Sequence, residues 1–260
     1  MLRIIRYNDY KPNRLFCLLL FTIVCSFSFA DNNQLLSNIP VDNQKRYEQL
    51  LLRKNYIVSY NKFTKCPNWV FWELTRKEAE GNIKRPDFAF HEDMDVKGQR
   101  AMLSDYKNSG YDRGHMCPAG DNKWDPEAMY ESFLLTNICP QNKDLNSGMW
   151  NNIEMSCRYW AKKYGKLYIV CGPIFLKTKH KTIGTNKILV PEAFFKAIVC
   201  LEGKPKGIAF ICRNSICDKK KDYYVNTIKE VEELTGYILF PELNGEIENQ
   251  VKNYASLRLW

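Results

Sequence analysis

The sequence predicts an α+β fold with a mixed or antiparallel sheet at its core. Strand-like segments stand near both ends of the chain, long helices are few, and two apolar runs, Phe194 to Leu201 and Gly207 to Cys212, are joined by the short turn Glu202, Gly203, Lys204, Pro205. A connection that short pairs neighbouring strands antiparallel.

Taken in chain order, Asn43 to Lys54 carries helix-forming residues and is expected to be helical. Tyr56 to Tyr60 and Trp69 to Thr75 are rich in aromatic and β-branched residues and form two strands around a turn near Cys66 and Pro67. From Arg76 to Tyr111 the chain is polar, which predicts a surface loop of the kind that often presents functional side chains. Phe133 to Ile138 is apolar enough for a short buried strand ending near Asn137. Trp150, Ile153, Cys157, Trp160, Ala161 and Tyr164 recur at steps of three and four, the mark of one helix face. That helix should begin near Asn146 and Ser147 and stop at Gly165. Leu167 to Cys171 is a further strand, and Thr227 with Glu230 forms a capping box for a helix closed by Gly236.

Residues 1–30 have the pattern of an export signal. Arg3, Arg6, Lys11 and Arg14 precede an apolar run from Leu15 to Phe29, and Ser28 to Ala30 is a small-x-small cleavage site. The run is shorter than the ~20 residues that cross a bilayer. An exported protein, periplasmic or secreted, with no stable membrane insertion is therefore expected, its mature chain beginning near Asp31. Cleavage removes a net three positive charges from the formal +9 and leaves +6. A basic excess of that size attracts polyanions but does not by itself identify one. Eight cysteines remain in residues 31–260, and an even number in an exported chain favours disulfides. No Cys-x-x-Cys spacing supports a zinc site. With no linker or repeat, residues 31–260 are expected to form a single domain.

The chemistry concentrates in two short stretches. The first runs Asp112, Arg113, Gly114, His115, and the second spans Thr136 to Glu154, including Asn137, Asn142 and Asn146. His115 has an ordinary pKa near ~6.5, so a neutral imidazole is available as a general base. Gly114 allows a tight backbone that aims the ring outward, and Asp112 can accept the hydrogen bonds that structure the loop. Eight residues along a helix advance roughly 12 Å and return a side chain to within about 80° of its starting direction, so Asn146 and Glu154 can share a pocket. A magnesium ion suits such a set, because it keeps most of its water and takes only one or two protein ligands. Asparagine is also a good helix cap, and Asn146 could serve in that way instead. His91 and His180 have no partner cluster, and Asp218 to Asp222 reads as a solvated, lysine-rich turn.

Together, Asp112 to His115, Thr136 to Gln141 and the Asn146, Trp150, Glu154 series resemble the DNA/RNA non-specific endonucleases of the ββα-metal superfamily. The similarity runs from about Tyr56 to about Gly236. The resemblance implies a ββα-metal finger carrying the active site and hydrolysis of phosphodiesters in DNA and RNA. It implies that His115 activates water, that Asn146 is the single direct protein ligand of Mg2+, Mn2+ or another divalent cation, and that Glu154 and Asn137 support the site. It also implies a catalytic arginine upstream, for which Arg85 fits best and Arg76 and Arg100 stand as alternatives. Arg113 is expected to position a phosphate or to form a salt bridge. Where the family pattern usually has a small residue without a thiol, this chain has Cys117. The competing functions are a phosphodiesterase acting on smaller phosphate esters, a protein that binds nucleic acid without cutting it, and a disulfide-stapled structural or adhesive protein.

Overall fold

The computed structural model describes residues 37–260, so the export signal expected over residues 1–30 lies outside the described residues. Ile39–Trp260 form one compact unit. Its centre is a seven-stranded antiparallel sheet, assembled from β2 (Gln49–Leu52), β3 (Tyr56–Asn61), β4 (Cys66–Thr75), β7 (Lys166–Ile174), β10 (Ala193–Cys200), β11 (Lys206–Arg213) and β12 (Val225–Asn226). Across the sheet the order is β12-β11-β10-β7-β4-β3-β2. The turn at Glu202 to Pro205 joins β10 to β11 in register, with Ala193 opposite Arg213 and Cys200 opposite Lys206. The central strands β3, β4, β7 and β10 are buried along most of their length, which explains their near-continuous apolar runs.

The short strand β1 (Val41–Asp42) pairs with β13 (Tyr237–Ile238), and β8 (Thr182–Ile183) pairs with β9 (Ile188–Leu189). The Ile228–Thr235 helix has the expected capping box, and Gly236 closes it at φ 75° in the left-handed region that glycine tolerates. No helix among the described residues is long and apolar enough to cross a membrane.

The structure corrects several expectations. Asn43 to Lys54 is not helical: a turn follows β1, and Gln49 to Leu52 pairs with Ile57 to Tyr60 as the edge strand β2. Ladder hydrogen bonds and burial of Leu51 outweigh a weak intrinsic helix preference. The turn between β3 and β4 closes at Lys65, with φ 57°, so Cys66 already belongs to β4. Phe133 to Ile138 is not one strand. Phe133 caps the Pro126–Ser132 helix, Leu135–Asn137 form a single 3-10 turn, and β6 (Ile138–Gln141) begins only after it.

The eight cysteines of the described region are free thiols rather than disulfides, and all but Cys217 are buried. Cys66, Cys139, Cys171, Cys200 and Cys212 lie in the main hydrophobic cluster with Trp72, Trp150 and Phe194. They serve as small apolar core residues, and a unit of this size is large enough to fold on its core without covalent staples.

Candidate active site

β5 (Asp112–His115) and β6 form a separate antiparallel ribbon, with Asp112 opposite Gln141 and His115 opposite Ile138. A helical segment follows β6 directly. Asn142 caps its start, accepting from the backbone N–H groups of Asp144 and Leu145. The chain then passes through a helical turn at Lys143–Leu145, a widened and kinked turn at Asn146–Trp150, and the Asn151–Tyr164 helix. The helix thus starts one turn earlier than its apolar periodicity predicts. Because Asn142 does the capping, the side chain of Asn146 is released from that role.

The widened turn changes the geometry of the site. It contains a kink at Gly148, whose backbone is not helical (φ −98°, ψ −108°) and where a Cβ would meet open space. A break of this kind releases Asn146 and Glu154 from the regular spacing of a single helix. Both line one cleft of about 420 Å³, together with Arg85, His115, Lys123, Ser147, Asn151 and Arg158.

Within that cleft the amide of Asn146 has a defined orientation. Its Nδ2 donates to Asp112 Oδ2 at 3.0 Å. A carboxylate only accepts, so the NH2 half of the amide must face Asp112 and Oδ1 is left for another partner. Asp112 therefore orients the amide across the junction between ribbon and helix.

His115 is only 8% exposed, so the ring is not turned outward as its neighbour Gly114 suggested. It packs against Phe90 and Phe133, with ring centroids 5.2 Å away in each case. Gly114 has an ordinary strand backbone, and what it provides is room: a Cβ there would lie 2.2 Å from Gln141 Oε1. Burial, with the positive charges of Arg85 and Lys196, lowers the His115 pKa to about 3, so the imidazole is neutral at physiological pH. Nε2 is occluded and has no hydrogen-bond partner. The nitrogen left to meet the cleft is Nδ1.

Asn137 lies under the site and not in it. It is fully buried, its Oδ1 accepts from Cys117 N at 2.9 Å, and its Nδ2 donates to Cys117 O and Ser132 O at 2.8 and 2.9 Å. The side chain ties the segment after His115 to the end of the Pro126–Ser132 helix. Replacing Asn137 by alanine strands three buried backbone groups and should cost about 2–4 kcal/mol of stability. A urea unfolding midpoint unchanged from wild type would contradict that role.

Of the three upstream arginines, Arg85 lines the cleft, with its guanidinium 5.7 Å from the centre of the Phe133 ring. Arg76 instead donates to the Lys162 carbonyl, and Arg100 is not among the cleft residues. Arg113 lies outside the lining too, exposed and stacked 4.8 Å over Phe90. Cys117 is fully buried, its thiol pKa pushed well up by burial, and its Sγ accepts from Asn122 Nδ2.

Sequence inspection missed Arg158 and Lys123. Arg158 stands four residues after Glu154 on the same helix face, a spacing that could have disclosed it. It donates to Asp121 Oδ1 at 2.9 Å, and Trp72 Nε1 donates to the other oxygen of that buried carboxylate. Glu154 is half-buried, and burial pushes its pKa up to about 7 against the opposing charge of Lys196. Among the described residues no three His, Cys, Asp or Glu side chains gather as a metal cluster. A cation here would depend on the Asn146 amide oxygen and on water.

A two-stranded ribbon that ends on a histidine, followed by a helix whose first turns face that histidine, defines a ββα-finger protein. The sequence profile of the DNA/RNA non-specific endonucleases matches residues 37–246, and the chain belongs to that family. It is 35% identical over 208 residues to the mitochondrial nuclease EXOG of Xenopus laevis, a match covering 74% of this chain and 58% of that protein. The chain thus spans about three fifths of the length of that relative. It is 31% identical to the mitochondrial endonuclease G of Bos taurus, over 75% of this chain and 70% of that one. A chain of the crystallised EndoG/EndoGI complex superposes with a TM-score of 0.74 at 28% identity, covering 79% of this chain and 89% of that one.

Proposed function

We propose that the protein is an exported, divalent-metal-dependent endonuclease that hydrolyses phosphodiester bonds in DNA and RNA without regard to the sugar. The single observation that carries this reading is the meeting of a neutral His115 and a directed Asn146 amide in one cationic cleft.

In this reading Arg85, Lys123 and Arg158 hold the non-bridging oxygens of the scissile phosphate. Arginine suits that role because its planar fork matches anionic oxygens in pairs. Contacts of this kind bind the backbone, which all nucleic acids share, and carry little base information. His115 Nδ1 accepts a proton from a water, the water oxygen forms a bond to phosphorus, and the bond from phosphorus to the leaving oxygen breaks. Burial, with the charges of Arg85 and Lys196, keeps the imidazole unprotonated before substrate arrives, and an incoming phosphate offsets those charges and strengthens the base. Asn146 Oδ1 fits a hydrated Mg2+ or Mn2+ as its one direct protein ligand, with Glu154 ordering the water around it. Such a cation supplies charge neutralisation at the phosphate and at the leaving oxygen.

The ionisation of Glu154 gives this reading a pH signature. Its pKa, raised to about 7, leaves the free carboxyl neutral below that pH and charged above it. Cation binding is therefore gained as pH rises through 7, and a bound cation favours the charged form. The Mg2+ concentration giving half-maximal cleavage should be about tenfold higher at pH 6 than at pH 8. Equal requirements at the two pH values would contradict the role of Glu154.

Digestion of supercoiled plasmid and of total RNA, with and without EDTA, tests the function itself. Both polymers should be cut internally and both reactions should stop in EDTA. Cleavage of small chromogenic diesters but not of plasmid would favour the phosphodiesterase reading, and salt-sensitive binding without cutting would favour the binding protein. Export is tested by sequencing the N-terminus of the mature protein, expected near Asp31.

A further inference from the structure

Lys196 is the least expected side chain in this fold. It sits in the middle of β10, in the run Ala193, Phe194, Phe195, Lys196, Ala197, Ile198, and is 0% exposed. In register it lies opposite Cys171 of β7 and Phe210 of β11. Strand alternation sends Phe195 toward Tyr237 on one side of the sheet, and Phe194 with Lys196 toward Trp150 on the other. The ammonium lies between two indoles, 4.9 Å from the Trp72 ring and 5.0 Å from the Trp150 ring.

A fully buried cation is costly unless a carboxylate pairs with it. Lys252, also buried, has that arrangement, with Glu232 at 2.8 Å and Glu248 at 3.0 Å. Lys196 forms no such ion pair among the described residues. Its oxygen partner is the carbonyl of Met116, the residue after His115, to which Nζ donates at 3.3 Å. The groups that feel its charge include Cys171, Glu154, Cys157, Asp121, Cys117 and His115. A core built for stability alone would place an apolar residue here. The charge stands instead beneath the two stretches that carry His115 and Glu154.

We propose that Lys196 is a positioning residue for phosphodiester cleavage, holding the His115–Met116 peptide through the Met116 carbonyl and placing a fixed positive charge behind the cleft floor. This rests on the nuclease reading of the cleft. The desolvated indole cage keeps the charge from being screened, so it acts on the anionic phosphate and on the charge that develops there without touching the substrate.

The test separates catalysis from folding, because the two predict opposite signs. Lys196→Met preserves length and volume while removing the charge and its donor. The variant should unfold at the same temperature as wild type or higher, since replacing a buried charge by an apolar group of similar size is often neutral or stabilising. Its kcat on plasmid should nevertheless fall by about 10- to 100-fold with KM nearly unchanged. Lys196→Gln, which can still donate but carries no charge, should also lose kcat. Wild-type kcat in Lys196→Met would overturn the proposal, as would a loss of activity that simply follows a lowered unfolding temperature. Failure of both variants to fold would make Lys196 a structural residue and overturn it as well. If wild-type protein cuts neither DNA nor RNA, the nuclease reading itself fails, which is a different outcome from an active wild type with an equally active Lys196→Met.

Discussion

Replacing His115 by alanine is expected to slow cleavage by about 10²- to 10⁴-fold, the range that a positioned general base supplies. Binding of nucleic acid should persist, because Arg85, Lys123 and Arg158 line the cleft independently of the imidazole. Removing the ring leaves a gap between Phe90 and Phe133, so some loss of unfolding temperature is expected with it. Free imidazole added to the reaction should restore part of the rate, because it replaces the missing base without repairing the packing. Turnover at the wild-type rate would remove His115 from the chemistry. A loss of rate matched by loss of near-UV circular dichroism would reduce it to a packing residue.

The second large effect is expected at Asn146. Asn146→Ala removes the amide oxygen that Asp112 orients in the cleft, and cleavage should fall at least about 100-fold at a fixed Mg2+ concentration. The neighbouring Asp112 gives a graded control. Asp112→Ala leaves Oδ1 in place but frees the amide to rotate, because the 3.0 Å hydrogen bond to Nδ2 is gone. A loss of about 10- to 100-fold is expected there, and more Mg2+ should recover part of it. Titration of cleavage against Mg2+ for the three proteins decides the matter. Identical curves for wild type and Asn146→Ala would place the cation elsewhere.

Five strands of the central sheet, β3, β4, β7, β10 and β11, are legible because most of their residues are buried and read as apolar runs. The helix after Asn146 was legible because its buried face repeats at three and four. What the sequence concealed depends on contacts distant in the chain. Gln49 to Leu52 looks helical by composition and becomes a strand only because β3 offers a free edge. Asn137 sits on a 3-10 turn because Cys117 and Ser132 claim its amide. The orientation of Asn146 needs Asp112 from another element, and the kink at Gly148 between Asn146 and Glu154 has no signature in apolar periodicity. Arg85 could be ranked above Arg76 and Arg100 but not singled out, since a long irregular segment separates it from His115. Lys196 offered one clue, a lone charge in an apolar strand.

Diffraction at a wavelength with anomalous signal from manganese, using crystals of the protein grown with Mn2+, tests the central claim most directly. A single peak within direct coordination distance of Asn146 Oδ1, in the cleft shared with His115, is the expected result. A manganese peak bound away from Asn146, or none in that cleft while the same preparation cleaves plasmid in an EDTA-sensitive reaction, would contradict it.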